Sequence, residues 1–459
     1  MSKVQGNLTE GRIAQVLTRL ALPIMASAFL ATAYNITDMA WVGMLGAKAV
    51  AGVGVGGMYG WLAQGLASLA RMGGQVHMGQ ALGRGDKTEA TNYASASVFL
   101  AVVFGAAFGA VCLIFTEPLV SFFRLQDVEA IRSAKVYLRI SCGCMAFSYI
   151  GTVLTGLYTA QGNSKAPLKA NFIGLVINMI LDPILILGVG PFPRLEAAGA
   201  AIATVLAQII VVTVLVVTIW KDRSGENVLK HVNIVRVPER HYVKNAVKMG
   251  APTALQGTVY CGISMILSRM VGWFGDDAIA VQRVGGQIES ISWNTSDGFA
   301  AAMNAFAAQN YGAGKIERVK KGYRVSAVMV FLWGSLVALA FLLFPAQISS
   351  CFFHEKQAID LSIQYLRIIG IGEAFMCLEL MAVGAISGLG NTKICSAASV
   401  LLTGMRIPLA TLLSKTSLGL DGIWWALTIS SISKGITMHV IFGKECAKKH
   451  RELSDKIDI

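Results

Sequence analysis

Apolar stretches bounded by short polar segments run along almost the whole chain. They fall near residues 14–44, 50–72, 93–116, 134–159, 167–190, 197–220, 246–273, 278–308, 325–348, 362–388, 394–414 and 421–442. At about 1.5 Å per residue, with ordinary tilt, each is long enough to cross a hydrocarbon core of roughly 30 Å. The alternation of period two that marks membrane strands is absent, which excludes a barrel. The pattern predicts an all-α polytopic membrane protein with twelve transmembrane helices. The first stretch is too long for the apolar core of a secretory signal, so it is expected to stay as an uncleaved helix.

The same pattern repeats. Leu22-Pro23 matches Ala251-Pro252, Gly46 matches Gly275, and Gln80-Ala81-Leu82-Gly83-Arg84-Gly85 matches Gln309-Asn310-Tyr311-Gly312-Ala313-Gly314. All three keep one offset of 229 residues (252 minus 23). Gly162-Asn163-Ser164-Lys165 then matches Gly390-Asn391-Thr392-Lys393, and Gly199 aligns with Gly422. Six helices per repeat return the chain to the side it entered from. The two halves are therefore parallel repeats, two six-helix bundles related by an axis along the membrane normal. The expected organisation is an N-lobe over 1–220 (TM1–TM6), a cytoplasmic linker over 221–245, and a C-lobe over 246–459 (TM7–TM12) ending in a basic cytoplasmic tail.

Composition fits this picture. The chain has 459 residues, 54% hydrophobic and only 14% charged, against about 25% charged in soluble domains. Glycines spread through the apolar stretches suit closely packed membrane helices. A net charge of +13 would suggest nucleic acid in a soluble protein, but here it reports orientation. The N-terminus, the even-numbered loops and the C-terminal tail hold about 25 Lys and Arg, the odd-numbered loops about seven. Both termini are expected in the cytoplasm of a prokaryotic inner membrane, with no nucleic-acid partner. The eight cysteines form no CxxC pair and read as small buried hydrophobes rather than a disulfide scaffold or zinc site. No GxxxxGK[ST] sequence is present, so ATP is not the expected energy source, and neither a cofactor nor a resident metal is expected.

Carboxylates in hydrocarbon are costly and mark function by default. Asp38 lies within the first helix, with Tyr34 and Asn35 on its face at i−4 and i−3. Asn178 and Asp182 share a face of the fifth helix, ahead of Pro183. If these helices pack together, two carboxyls share a dry pocket, where burial and like charge favour a proton on one of them. Thr204 on the sixth helix would bond the pair or supply an oxygen ligand. The same oxygens would suit sodium held by Asp38, Asn178, Asp182 and Thr204, so residue types alone leave the ion open. Asp182 read alone could equally cap a helix broken at Pro183. The repeat partners of Asp38 and Asp182 are Leu267 and Ala410, so this chemistry is not duplicated.

Leu22-Pro23, Tyr34-Asn35-Ile36-Thr37-Asp38 and Gly43-Met44-Leu45-Gly46 together resemble the first helix of the multidrug and toxic compound extrusion (MATE) family. Gln161-Gly162-Asn163, Asn178-Met179-Ile180-Leu181-Asp182-Pro183, Ala198-Gly199-Ala200-Ala201-Ile202-Ala203-Thr204 and the segment Gln309–Gly314 extend the likeness over nearly the whole chain. The resemblance implies an outward-facing V of two lobes that exports drugs or metabolites in exchange for protons or sodium ions. Tyr34, Asp38, Asn178, Asp182 and Thr204 match the N-lobe network of the prokaryotic DinF-like branch. Where other branches carry an acid on the seventh helix, this chain offers Gln256, which tilts the expectation toward protons and the first half.

Pro23 interrupts the first helix and permits a kink; it is the expected hinge, although Pro252 holds the equivalent place in a half lacking the acid. The second half also carries Arg269, Arg283, Glu289, Asp297, Glu373, Glu379 and Arg406 in or near apolar stretches. Glu289 is expected either to pair with Arg283 or to help bind a cationic substrate. Met25, Asn35 and Gln256 complete the substrate-binding candidates. The expected activity is secondary-active efflux of small, often cationic, organic molecules by a monomer that is not an enzyme. Export of a lipid-linked precursor or another metabolite is the alternative. A membrane aspartyl protease would need an acid in a GxGD setting, which neither Asp38 nor Asp182 has.

Overall fold

The computed structural model describes residues 7–123, 125, 127–189, 193–222, 227–233 and 236–455; part of the basic stretch after residue 221 lies outside them. The described residues contain no strand and form twelve long helical segments. The first six are α1 (Ile13–Gly43), α2 (Ala47–Arg84), α3 (Lys87–Ile114), α4 (Val128–Cys142 followed by Met145–Ala160), α5 (Lys165–Leu187) and α6 (Ala197–Lys221). The second six are α7 (Arg240–Val271), α8 (Asp276–Gly312), α9 (Ile316–Leu343), α10 (Lys356–Gly388), α11 (Thr392–Leu413) and α12 (Leu420–Ser454). Seven of them are apolar enough along their length to span a bilayer, and α4, bent by 47°, makes an eighth. The other four, α2, α7, α8 and α12, are 32 to 38 residues long. Polar faces and hydrophilic ends dilute their hydropathy.

The repeat is written into the element boundaries. α2 and α8 begin at 47 and 276, and α3 and α9 at 87 and 316. The short helices Thr116–Ser121 and Pro345–Ser350 also keep the 229-residue offset (345 minus 116). The turns agree in conformation too. Gly46 and Gly275, which enter α2 and α8, have φ of 101° and 111°, a region that favours glycine. Entering α6 and α12, Glu196 and Gly419 have φ of 54° and 51°. Glu196 is the non-glycine positive φ among the described residues, and its repeat partner is glycine.

Contacts group the described residues into two units, residue 7 with 26–254, and 8–25 with 255–455. The first halves of α1 and α7 are thus exchanged: each belongs to the unit built mainly from the other half of the chain. In the first unit, a side-chain carbon on Gly250 of α7 would lie 1.9 Å from the Leu69 carbonyl oxygen of α2. In the second, a carbon on Gly298 of α8 would lie 2.4 Å from Met25 and 3.4 Å from the Ala21 carbonyl oxygen of α1. Ala21 and Leu69 correspond to Gly250 and Gly298 across the repeat. The close crossing is conserved in place, while its glycine has changed sides.

Each unit has its own core. Met78, Leu138, Tyr149, Leu157, Tyr158 and Leu215 are buried in the first, and the Tyr158 hydroxyl donates to the Leu215 carbonyl at 2.9 Å. Leu17, Leu20, Met303, Phe306, Ile386 and Met438 are buried in the second. The many large apolar side chains left exposed, such as Leu113, Ile114, Leu332 and Leu401, fit helices whose outer faces meet lipid rather than water.

Candidate functional site

The first unit carries an open cavity of about 720 Å³. α1 presents Tyr34, Asn35 and Asp38 to it, three and four residues apart and so on one helical face. The Tyr34 hydroxyl donates to Thr204 Oγ1 of α6 at 2.9 Å. Asp38 is 8% exposed, and its Oδ1 has no hydrogen-bond partner among the described residues.

Behind this wall α5 carries the second carboxyl. Asn178 and Asp182 are both fully buried, and Asn178 Nδ2 donates to Asp182 Oδ1 at 3.2 Å. Asp182 Oδ2 has no partner. Asp38 and Asp182 are close enough for their charges to act on one another. α5 continues through Pro183 to Leu187, so Asp182 does not cap a broken helix. Proline leaves a carbonyl without its usual partner, but the flanking turns keep their bonds. No Lys or Arg pairs with either carboxyl among the described residues.

α4 supplies a feature that the hydropathy pattern did not disclose. Residues Leu138–Cys142 form a π turn, an arrangement that widens a helix locally and recurs at functional sites. Tyr137 and Ser141, at this turn, line the cavity. The adjoining bend is accommodated by α3, where a side chain on Gly105 would lie 2.5 Å from Ala146 Cα. The start of α4 is fixed by Asp127, whose Oδ1 accepts from the backbone N–H of Glu129 and Ala130. Its bond to Lys48 at 2.7 Å holds the Asp127 carboxyl below the usual carboxylate range, with the two N–H donors adding to the effect.

The second unit encloses a smaller cavity of about 190 Å³ with charged walls, including Glu289 and Glu373 with Arg406 and Lys434. Lys434 of α12 pairs with Glu379 of α10 at 2.8 Å, with both side chains buried. Ser292 Oγ donates to Glu373 Oε2 at 2.5 Å, while Glu373 Oε1 has no partner. Arg406 of α11 donates to Ser430 and Ser431 of α12 at 3.1 and 3.3 Å and lies over the Tyr260 ring.

Several expected positions differ from this geometry. Glu289 does not pair with Arg283, which is exposed on α8; its basic neighbours are Arg406 and Lys434. The helical turn sends the two side chains of 283 and 289 to different faces. Met25 packs against Gly298 within the second unit. Gln256 also belongs to the second unit and carries a buried Oε1 without a partner. Pro23 is buried within a helix that runs unbroken from Ile13 to Gly43. Sequence reasoning missed Tyr137, Arg71 and Lys434. A lone lysine in the apolar stretch 421–442 was the available signal for the last of these.

Two repeated helical units, each with ionisable groups around a cavity, are an architecture of membrane transporters. The family model MatE matches residues 23–184 and 252–412, its two matches beginning on Pro23 and Pro252. The chain belongs to the MatE family. A protein named as a probable multidrug resistance protein NorM from Thermotoga maritima is 28% identical over 435 residues, covering 94% of this chain and 92% of the relative. A protein named as an FAD transporter from Shewanella oneidensis is 23% identical over 448 residues, covering 97% of both. An outward-facing structure of a multidrug resistance MATE family transporter has a TM-score of 0.89 at 22% identity, covering 98% of this chain and all of the other. The fold is accordingly the twelve-helix, two-lobe transporter fold.

Proposed function

We propose that the protein is a secondary-active efflux antiporter of the membrane, exporting small organic molecules in exchange for protons taken up at Asp38 and Asp182. One observation carries this reading: two buried carboxyls within electrostatic reach of each other, with unpartnered oxygens and only neutral groups for company. Burial without a counter-ion favours the neutral acid, so a site of this kind can load and release a proton as access alternates. Efflux of drugs is supported by the names of the relatives. Tyr34, Asn178 and Thr204 are assigned to the coupling network, Asn178 through its bond to Asp182 and Tyr34 with Thr204 as the bonded pair on the cavity wall beside Asp38. Asn35, Gln256 and Glu289 remain substrate-contact candidates on their different elements.

Orientation with both termini in the cytoplasm rests on the Lys and Arg bias. Division into an N-lobe over 1–220 and a C-lobe over 246–459 rests on the repeat, and action as a monomer belongs to the same proposal. Pro23 is the proposed hinge: protonation changes the bend of α1 and expels substrate. Pro23→Ala is expected to reduce export, and undiminished export would remove the hinge. Protons and sodium are separated by efflux of a fluorescent cation from vesicles with each gradient imposed alone. Drive by the proton gradient supports the proposal, and drive by sodium alone assigns Asp38, Asn178, Asp182 and Thr204 to sodium instead.

A further inference from the structure

The larger cavity holds a second charged group that proton exchange does not use. Of the residues lining it, only Asp38 and Arg71 are charged. Arg71 lies on the same face of α2 as Gly57, Gly60 and Gln64, which also line the cavity. No ion pair or hydrogen bond to Arg71 occurs among the described residues, and its Nε is buried without a partner.

An arginine near the end of an apolar stretch ordinarily runs its stem out to the interface and keeps its head in water. Arg71, at the end of the stretch 50–72 but well inside α2, does not have that freedom. Its stem is laid on Gly156 of α4, where an added side-chain carbon would lie 2.5 Å from Arg71 Cγ and 3.3 Å from Cδ. The glycine makes a slot, and the slot aims the guanidinium along the cavity wall. Asp38 cannot neutralise it. Tyr137 of α4 stands near Asp38, and Gly156 is 19 residues farther along the same bent helix, at most about 28 Å at 1.5 Å per residue. The two charges therefore mark opposite ends of the cavity.

The cavity wall also offers neutral donors, Asn171 of α5, Thr155 of α4 and Gln208 of α6, and the aromatic faces of Tyr34, Trp61 and Phe147. A planar guanidinium with free donors is built for a carboxylate or phosphate, which it can grip through two parallel bonds. About 720 Å³ is ample for a drug-sized molecule.

We propose that Arg71 is an anion subsite, so that the cavity of the first unit accepts aromatic organic anions and zwitterions whose carboxylate or phosphate pairs with Arg71. This rests on the efflux reading and adds organic anions to its substrate class. It also separates the substrate's anchor from the proton site: a ligand held at Arg71 leaves Asp38 free to change its charge.

The test uses the full-length protein in nanodiscs with two fluorescent probes, the aromatic dianion fluorescein and the aromatic cation ethidium, read by anisotropy. Wild type is expected to bind fluorescein, and added salt should weaken that binding. Arg71→Gln should weaken fluorescein by about tenfold to a hundredfold, the worth of a charged hydrogen bond, with ethidium affinity unchanged. Arg71→Lys should restore part of the loss by keeping the charge without the fork. Equal loss of both probes, or unchanged fluorescein affinity in Arg71→Gln, overturns the subsite. If Arg71→Gln does not fold, wild type and Arg71→Lys still decide: no fluorescein binding by wild type, or identical affinity in the two, overturns it. Ethidium bound without fluorescein rejects the anion subsite and leaves efflux standing, whereas binding of neither probe counts against the efflux reading itself.

Discussion

In the first unit two carboxyls are buried with neutral company; in the second, acids of the same kind are buried among cations. Asp182 accepts from Asn178, and Asp38 shares its cavity wall with Tyr34 and Thr204, which bond to each other. Glu379 meets Lys434, and Glu289 faces Arg406 and Lys434. The scaffold is the same, down to the φ angles of the turns that enter equivalent helices. The difference lies in what each site does with charge. A carboxyl without a counter-ion can change its charge without stranding a partner, while one that shares a buried ion pair is tied to that partner. One scaffold thus carries a site suited to switching and a site suited to persistence.

The sharpest way to break this comparison is Asp38→Asn. It is expected to abolish drug resistance in a sensitised host while leaving the amount of membrane protein intact, as judged by immunoblot. Resistance at the wild-type level would show that the switching site is elsewhere. Lys434→Met should act in the other way, through stability. It strands the buried Glu379 carboxylate at a cost of about 3–5 kcal/mol, read as a fall in melting temperature in detergent. Lys434→Met with Glu379→Met should recover most of that loss; a double variant no better than the single would show that pairing is not what holds the cluster.

Tyr34→Phe removes one neutral donor from the first site. About 1 kcal/mol of hydrogen bonding to Thr204 is at stake, so efflux should slow by about fivefold, with substrate affinity unchanged. A complete loss would promote Tyr34 from an orienting group to an essential one. Glu196→Gly should have the smallest effect. Relief of backbone strain, about 1–3 kcal/mol, is set against the extra unfolded-state freedom of glycine, about 0.5–1 kcal/mol. A small rise in melting temperature is expected, matching the glycine that the second half already has at 419. A fall would mean that the two turns are not equivalent in energy.

Much of this was legible along the chain, and the residues show why. Pro23 and Pro252, Gly46 and Gly275, and the long apolar stretches are local signals, so the helices and their repeat could be read directly. Asp38 and the pair Asn178 and Asp182 stood out because polar groups in hydrocarbon are rare and lie at helical spacing. Other features depend on distant pairing. Lys434 and Glu379 meet across two helices far apart in sequence, and Arg283 looked like the partner of Glu289 because it was near in the chain. The π turn in α4 has no signature in hydropathy, so Tyr137 was missed although it stands beside Asp38. Arg71 reads as an ordinary helix-end arginine until Gly156, on another helix, shows where its stem is held.

The central claim, that the uncompensated acids of the first unit take up the driving ion, is tested most directly in proteoliposomes. Efflux of ethidium would be followed with a proton gradient alone and a sodium gradient alone, for wild type and for Asp38→Asn. The expected result is transport by wild type under the proton gradient, none under sodium, and none by Asp38→Asn under either. Proton-driven transport by Asp38→Asn at the wild-type rate would contradict the account.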